Sequence, residues 1–136
     1  MATVSLKSVA EKLGIKKGHR VVILGAPAGY SLGTLPPDAW VLTKRDDRAD
    51  IVQLFVSSMG DLKHTLPNLK TQLNPATPVW VTYPKGTSKT KPDLNRDIIR
   101  EYAATIGFET VALFAVDETW SALRLKNAGE RDNGTK

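Results

Sequence analysis

Two segments of this 136-residue chain carry residues whose types and spacing can do chemistry. The first is the run Val21, Val22, Ile23, Leu24, Gly25, Ala26, Pro27, Ala28, Gly29, Tyr30. An apolar strand ends at one glycine and a second glycine follows four residues on. That layout lets backbone approach a nucleotide or cofactor closely, and it makes Gly25, Gly29 and Tyr30 candidate ligand-binding residues. The turn departs from a dinucleotide fingerprint at two of its three glycine positions, which Pro27 and Tyr30 fill. Proline fixes its φ and has no N–H, so Pro27 cannot copy a flexible glycine. The same two glycines also suit a tight turn with no ligand.

The second segment is 83–97, which holds Lys85, Ser88, Lys89, Lys91 and Arg96. It falls after an apolar run and before a helical pattern, at the carboxyl end of a strand, where open α/β sheets bind ligands. A helix start there offers backbone N–H groups to an anion. Lys85, Ser88, Lys89 and Arg96 are therefore candidates for holding an anion or phosphate, although the Walker order is absent. The other reading is a solvated loop with Arg96 and Asp97 in surface ion pairs.

Asp117 is suited to bonding loop backbone or Arg96. Trp120 is suited to capping a ligand cleft or to packing on the sheet. Asp117 and Glu118 are adjacent and would point to opposite faces of a strand, a poor acid–base pair. His19 and His64 have no partner at metal-ligand spacing. Ser57 and Ser58 have no histidine or acid placed to activate them. No catalytic residue is assigned.

Composition narrows the classes further. The chain has no cysteine, which removes disulfides, thiol nucleophiles and cysteine metal sites. Its net charge of +5 suits an anionic small molecule or an acidic protein partner, and equally suits solubility. Nucleic acid is the rival partner, since Lys and Arg concentrate at 16–20, 44–48 and 85–100. No helix-turn-helix or aromatic stacking pattern accompanies them. No apolar run approaches the roughly 20 residues needed to span a bilayer, and the first residues lack the features of a signal peptide. A cytoplasmic protein without a membrane partner is expected.

The elements that must position these residues follow from periodicity. Residues 5–14 place Leu6, Val9, Ala10 and Leu13 on one helical face, with Ser5 as cap and Gly14 as stop. Residues 21–24, 51–56 and 79–83 are apolar on consecutive positions, as in strands covered on both faces. Residues 26–39, with three prolines, have room for one helical turn at most. Residues 40–43 form a short strand. The seven residues 44–50 reach roughly 23 Å when extended. They can just pass beneath a neighbouring strand; otherwise 40–43 is antiparallel or barely a strand. Asp61 is read as the cap of a helix bearing Leu62, Leu66, Leu69 and Leu73, with Pro67 implying a kink or a late start. Asp93 is read as the cap of a helix bearing Leu94, Ile98, Tyr102 and Ile106, stopped by Gly107. Residues 110–116 and 120–126 lie too close for a crossover and form an antiparallel hairpin, the second alternating like an edge strand. One domain over 1–126 with a polar tail at 127–136 is predicted.

Helix, then Leu13-Gly14-Ile15-Lys16 with Gly18 and Arg20-Val21, then Leu24-Gly25 is similar to the opening of class I S-adenosylmethionine-dependent methyltransferases. Residues 66–75 leading into 79–83, and the final strand–turn–strand, resemble later parts of that family. A closer resemblance is to a bacterial family of small domains with no known activity. It rests on Tyr83-Pro84-Lys85, Thr87-Ser88-Lys89, Asp93 to Asp97 and Val116 to Arg124. The resemblance implies an α/β fold: a small Rossmann-like, methyltransferase-like sandwich. Its sheet is mainly parallel, ends in an antiparallel hairpin, and is shortened between the family's first and fourth strands. It also implies S-adenosylmethionine as the cofactor to consider. However, Ile23 stands where the family has an acid, Pro27 replaces the middle glycine, and Thr43, Lys44 and Arg45 fill the region of the ribose-binding acid. Binding of an anionic ligand or protein partner without catalysis is therefore the leading expectation. A minimal methyltransferase and a nucleic-acid accessory protein are the alternatives.

Overall fold

Apolar runs become adjacent strands here because only a sheet pairs their backbone while burying both faces. The structure, a computed structural model, describes residues 9–30, 32–33, 35–44, 46, 48–73, 76–84, 94–116 and 119–127. Lys85, Ser88, Lys89, Asp93 and Asp117, the helix start expected at Ser5, and residues 128–136 lie outside them. The elements run α1 (Val9–Leu13), β1 (Arg20–Leu24), β2 (Trp40–Leu42), β3 (Ile51–Phe55), α2 (Met59–Gln72), β4 (Val79–Pro84), α3 (Arg96–Thr105), β5 (Phe108–Ala115) and β6 (Trp120–Asn127). The six strands form one sheet in the order β2-β1-β3-β4-β6-β5. The first four are parallel; β6 runs antiparallel to both β4 and β5.

The short link 44–50 does connect parallel strands on opposite sides of β1. β2 is only three residues long, so the link passes the start of β1 without a helix. Both backbone groups of Arg20 bond Asp50: its N–H donates to Asp50 Oδ2 at 2.8 Å, and its carbonyl accepts from the Asp50 N–H at 2.8 Å. The Arg20 guanidinium lies 3.9 Å from Asp46 and 4.8 Å over the Trp40 ring.

The two faces are covered differently. On one, Leu62, Leu66 and Leu69 of α2 and Ile99 and Ala103 of α3 pack on Val22, Val52, Leu54, Val81 and Leu123. On the other, Ala10 and Leu13 of α1 and Leu32 of the 26–39 segment pack on Val21, Ile23, Ile51, Trp80 and Ala122. Small Ala122 lies across from both Thr82 and Phe114, and over it Trp80 meets Phe114 edge-on at 5.1 Å.

Three readings need correction. Helix α2 begins earlier than expected: Ser58 is its cap, accepting from the Asp61 N–H at 3.0 Å. The Asp61 carboxylate instead accepts from the Ser57 N–H, so cap and acid satisfy two orphan donors together. Pro67 sits inside the continuous helix. Asn95, not Asp93, caps α3, accepting from Ile98 N–H at 2.9 Å. Lastly, β6 is an interior strand and β5 the edge. The alternation of 120–126 reports a sheet face left to solvent at Arg124 and Lys126, not a free edge.

Candidate functional site

β1 leads to β2 on one side while β3 lies on the other, so the sheet's order reverses between β1 and β3. The crevice outside the carboxyl ends of such a pair is where open α/β sheets bind ligands. Gly25 directly follows β1 there, and Phe55 ends β3. Gly25 has φ +75°, and a Cβ on it would lie 3.0 Å from the Phe55 carbonyl oxygen. Only glycine meets both demands without a shift.

The next turn brings Tyr30 back. Its N–H donates to the Pro27 carbonyl at 3.1 Å, and Gly29, third in the turn, has φ +81°. A positive φ at that place is what a type II turn asks of glycine. Tyr30 then reaches β3 directly and β4 through it. Its hydroxyl donates to Gln53 Oε1 at 2.9 Å, and Gln53 Nε2 donates to Thr82 Oγ1 at 3.1 Å. Gln53 and Thr82 are both 0% exposed, so each needs the other for satisfaction. Above this chain the Tyr30 ring meets Phe55 edge-on at 4.8 Å, and Phe55 meets Trp120 edge-on at 5.1 Å. The crevice is thus lined by three interlocked aromatic rings and a neutral polar relay. This set can stack against a planar group or hold a shape; it carries no acid or base suited to proton transfer near neutral pH.

Ile23, where the methyltransferase resemblance implies an acid, is 7% exposed within the apolar cluster of Val21, Leu32 and Ile51. A carboxylate there would be buried without a partner, at high cost.

Of the residues singled out from sequence, Gly25, Gly29, Tyr30 and Trp120 come together at this crevice. Arg96 stands apart at the start of α3, exposed, with Nε 3.4 Å from its neighbour Asp97. Beside it, at the end of β4, the Tyr83 phenol is pushed up from its ordinary value, chiefly by burial, against the lowering effects of a Ser121 hydrogen bond and the Arg96 charge. Gln53, Phe55 and Thr82 were not singled out. Their signal was one amide inside an otherwise apolar buried strand, Ile51-Val52-Gln53-Leu54-Phe55. Among the described residues no group of three His, Cys, Asp or Glu could hold a metal, and no helix is long and apolar enough to cross a membrane.

The fold defined by this sheet is a Rossmann-like methyltransferase fold. A SAM-dependent methyltransferase from Aquifex aeolicus superposes with TM-score 0.56 at 12% identity, covering 86% of both chains. The B. subtilis M1A22 tRNA methyltransferase TrmK gives 0.54 at 10% identity, over 92% of this chain and 68% of that one. A protein in the NADB-Rossmann superfamily from Streptococcus agalactiae gives 0.51 at 12% identity, over 91% and 69%. At such identities the likeness concerns the fold. Residues 38–129 match a protein family of unknown function, DUF3052, and the chain belongs to that family. No curated protein matches the sequence.

Proposed function

We propose that this chain is a Rossmann-like binding domain that holds an anionic small molecule or a protein partner and does not transfer methyl groups. One observation carries the proposal. The crevice at the sheet's reversal point is taken up by the chain's own side chains: Tyr30 bonds Gln53, which bonds Thr82, and Tyr30 meets Phe55 edge-on as Phe55 meets Trp120. Placing a cofactor there would require displacing a ring and breaking a buried hydrogen-bond chain. The apolar Ile23 supports the same reading. Binding is then assigned to the sequence between β4 and α3, with Lys85, Ser88, Lys89 and Arg96, together with Asp117 and Trp120 from the sequence that joins β5 to β6. Asn95 caps α3 as a neutral side chain, and Asp97 in the first turn offsets part of the field that favours anions there.

The fold neighbours favour one other reading, a minimal S-adenosylmethionine-dependent methyltransferase. Calorimetry separates the two. Titration with inorganic phosphate and ATP is expected to give saturable heat that falls at least tenfold in affinity in Lys85→Ala/Lys89→Ala. S-adenosylmethionine and S-adenosylhomocysteine are expected to give none. Saturable binding of either methionine cofactor, or methyl transfer by the purified protein, would overturn the proposal.

A further inference from the structure

The basic runs 16–20 and 44–48 are far apart in the sequence, and the fold joins them beside an exposed tryptophan. The Trp40 N–H donates to the His19 carbonyl at 3.0 Å, and the Gly18 N–H to the Pro37 carbonyl at 2.9 Å. The Asp50 N–H donates to the Arg20 carbonyl at 2.8 Å, which returns the second run to the first. Trp40 opens β2, an edge of the sheet. It is 52% exposed, the most exposed large apolar side chain among the described residues. The Arg20 guanidinium lies over one face of its ring. With that face covered, exposure of this size leaves the other face to water.

The ring is held in place. Arg20 is mostly buried, and its Nε lies 3.9 Å from Asp46. Arg48 approaches the same carboxylate at 3.8 Å from the solvent side, with three-quarters of its side chain exposed. One carboxylate stands against two guanidiniums, so the cluster beside the ring keeps a net positive charge. Across the described residues of 16–20 and 36–50, cations outnumber acids five to three.

We propose that Trp40, backed by Arg20, is a stacking platform for a base of single-stranded nucleic acid, with the strand's phosphates drawn to Arg48. Every base offers a flat π face to an aromatic ring, and a cationic surround tracks the backbone. The Arg48–Asp46 pair is exposed and weakly held, so a phosphate can replace the carboxylate at little loss. A ring already fixed by Arg20 gives up little freedom on stacking. An acidic peptide would answer the charge and leave the ring face uncovered, and a duplex keeps its base faces to itself. The inference does not rest on the anion site proposed between β4 and α3, since β1 and β3 separate β2 from β4.

Fluorescence anisotropy of a short labelled oligouridylate with the full chain tests it. Saturable binding is expected at low salt, with log affinity falling linearly with log salt concentration. Trp40→Ala is expected to weaken it at least about fivefold, and Trp40→Phe, which keeps a flat ring, to recover most of the loss. Arg48→Gln is expected to reduce the salt slope by about 0.7, the share of one phosphate on a single strand. On a duplex of the same length, Trp40→Ala is expected to change nothing. Arg48→Gln, at an exposed position, keeps the test in force if Trp40→Ala fails to fold. Absence of saturable binding at low salt overturns the proposal, as does binding indifferent to both Trp40→Ala and Arg48→Gln. A Trp40-dependent affinity for polyglutamate would also overturn it, and would give this face to an acidic peptide.

Discussion

Gln53→Leu tests the reasoning behind the closed crevice most directly. Leucine nearly matches glutamine in volume, so the change removes two hydrogen bonds without opening a cavity. The bonds are 2.9 Å from the Tyr30 hydroxyl and 3.1 Å to Thr82 Oγ1. Tyr30 is half-buried and can turn its hydroxyl to water. Thr82 is fully buried and cannot. A stranded buried hydroxyl costs about 1–3 kcal/mol, partly offset here because the buried amide is replaced by an apolar group. A net loss of about 1–2 kcal/mol is expected, a drop in Tm of roughly 3–5 °C per kcal/mol for a domain of this size. Adding Thr82→Val removes the stranded group, so the double variant should recover most of the loss. Urea unfolding followed by tryptophan fluorescence reads the parent and both variants, with Trp80 and Trp120 reporting from the same sheet face. A double variant less stable than Gln53→Leu alone would refute the idea that Thr82 depends on Gln53.

Further outcomes follow from single features. Gly25→Ala places a Cβ 3.0 Å from the Phe55 carbonyl at φ +75°, and chemical denaturation should show a loss of about 1–3 kcal/mol. Pro67→Ala restores an N–H inside α2 and should raise stability, by up to about 3 kcal/mol, with greater helicity by circular dichroism; a loss would mean that the Pro67 ring is needed for packing. Tyr83 has a raised phenol pKa in the folded state, so its stabilising share is whole below about pH 10 and is lost as pH climbs through the folded value. Tyr83→Phe should therefore flatten the alkaline limb of the stability–pH curve, and an unchanged limb would assign the loss to other groups.

Local signals in the sequence carry the architecture. Consecutive apolar residues at 21–24, 51–56 and 79–83 identified strands buried on both faces, and the three-residue gap at 117–119 required a hairpin. The cap errors share one cause. Several residues near each helix start can cap, and the winner is the one whose backbone lies at the right distance from the sheet. Ser58 is the third residue after β3 and starts α2 early, whereas Asn95 starts α3 late, after Leu94 is buried. The candidate site was legible at Gly25, Gly29, Tyr30 and Trp120, since glycine turns and aromatics are visible by type. Gln53 was not, because its meaning depends on Tyr30, 23 residues away, and Thr82, 29 residues away.

The strand and helix segments, the mostly parallel sheet and the lack of room for a full helix between β1 and β2 are all legible in the amino-acid order. Burial and periodicity are written residue by residue, so these follow from the chain alone. That β6, not β5, lies against β4, and that Tyr30 folds back onto Gln53 and Phe55, emerges from long-range packing. Either strand of a hairpin can satisfy the same local pattern. Which one becomes the interior strand depends on what α3 and β4 leave to be covered, and that choice leaves β5 as the open edge.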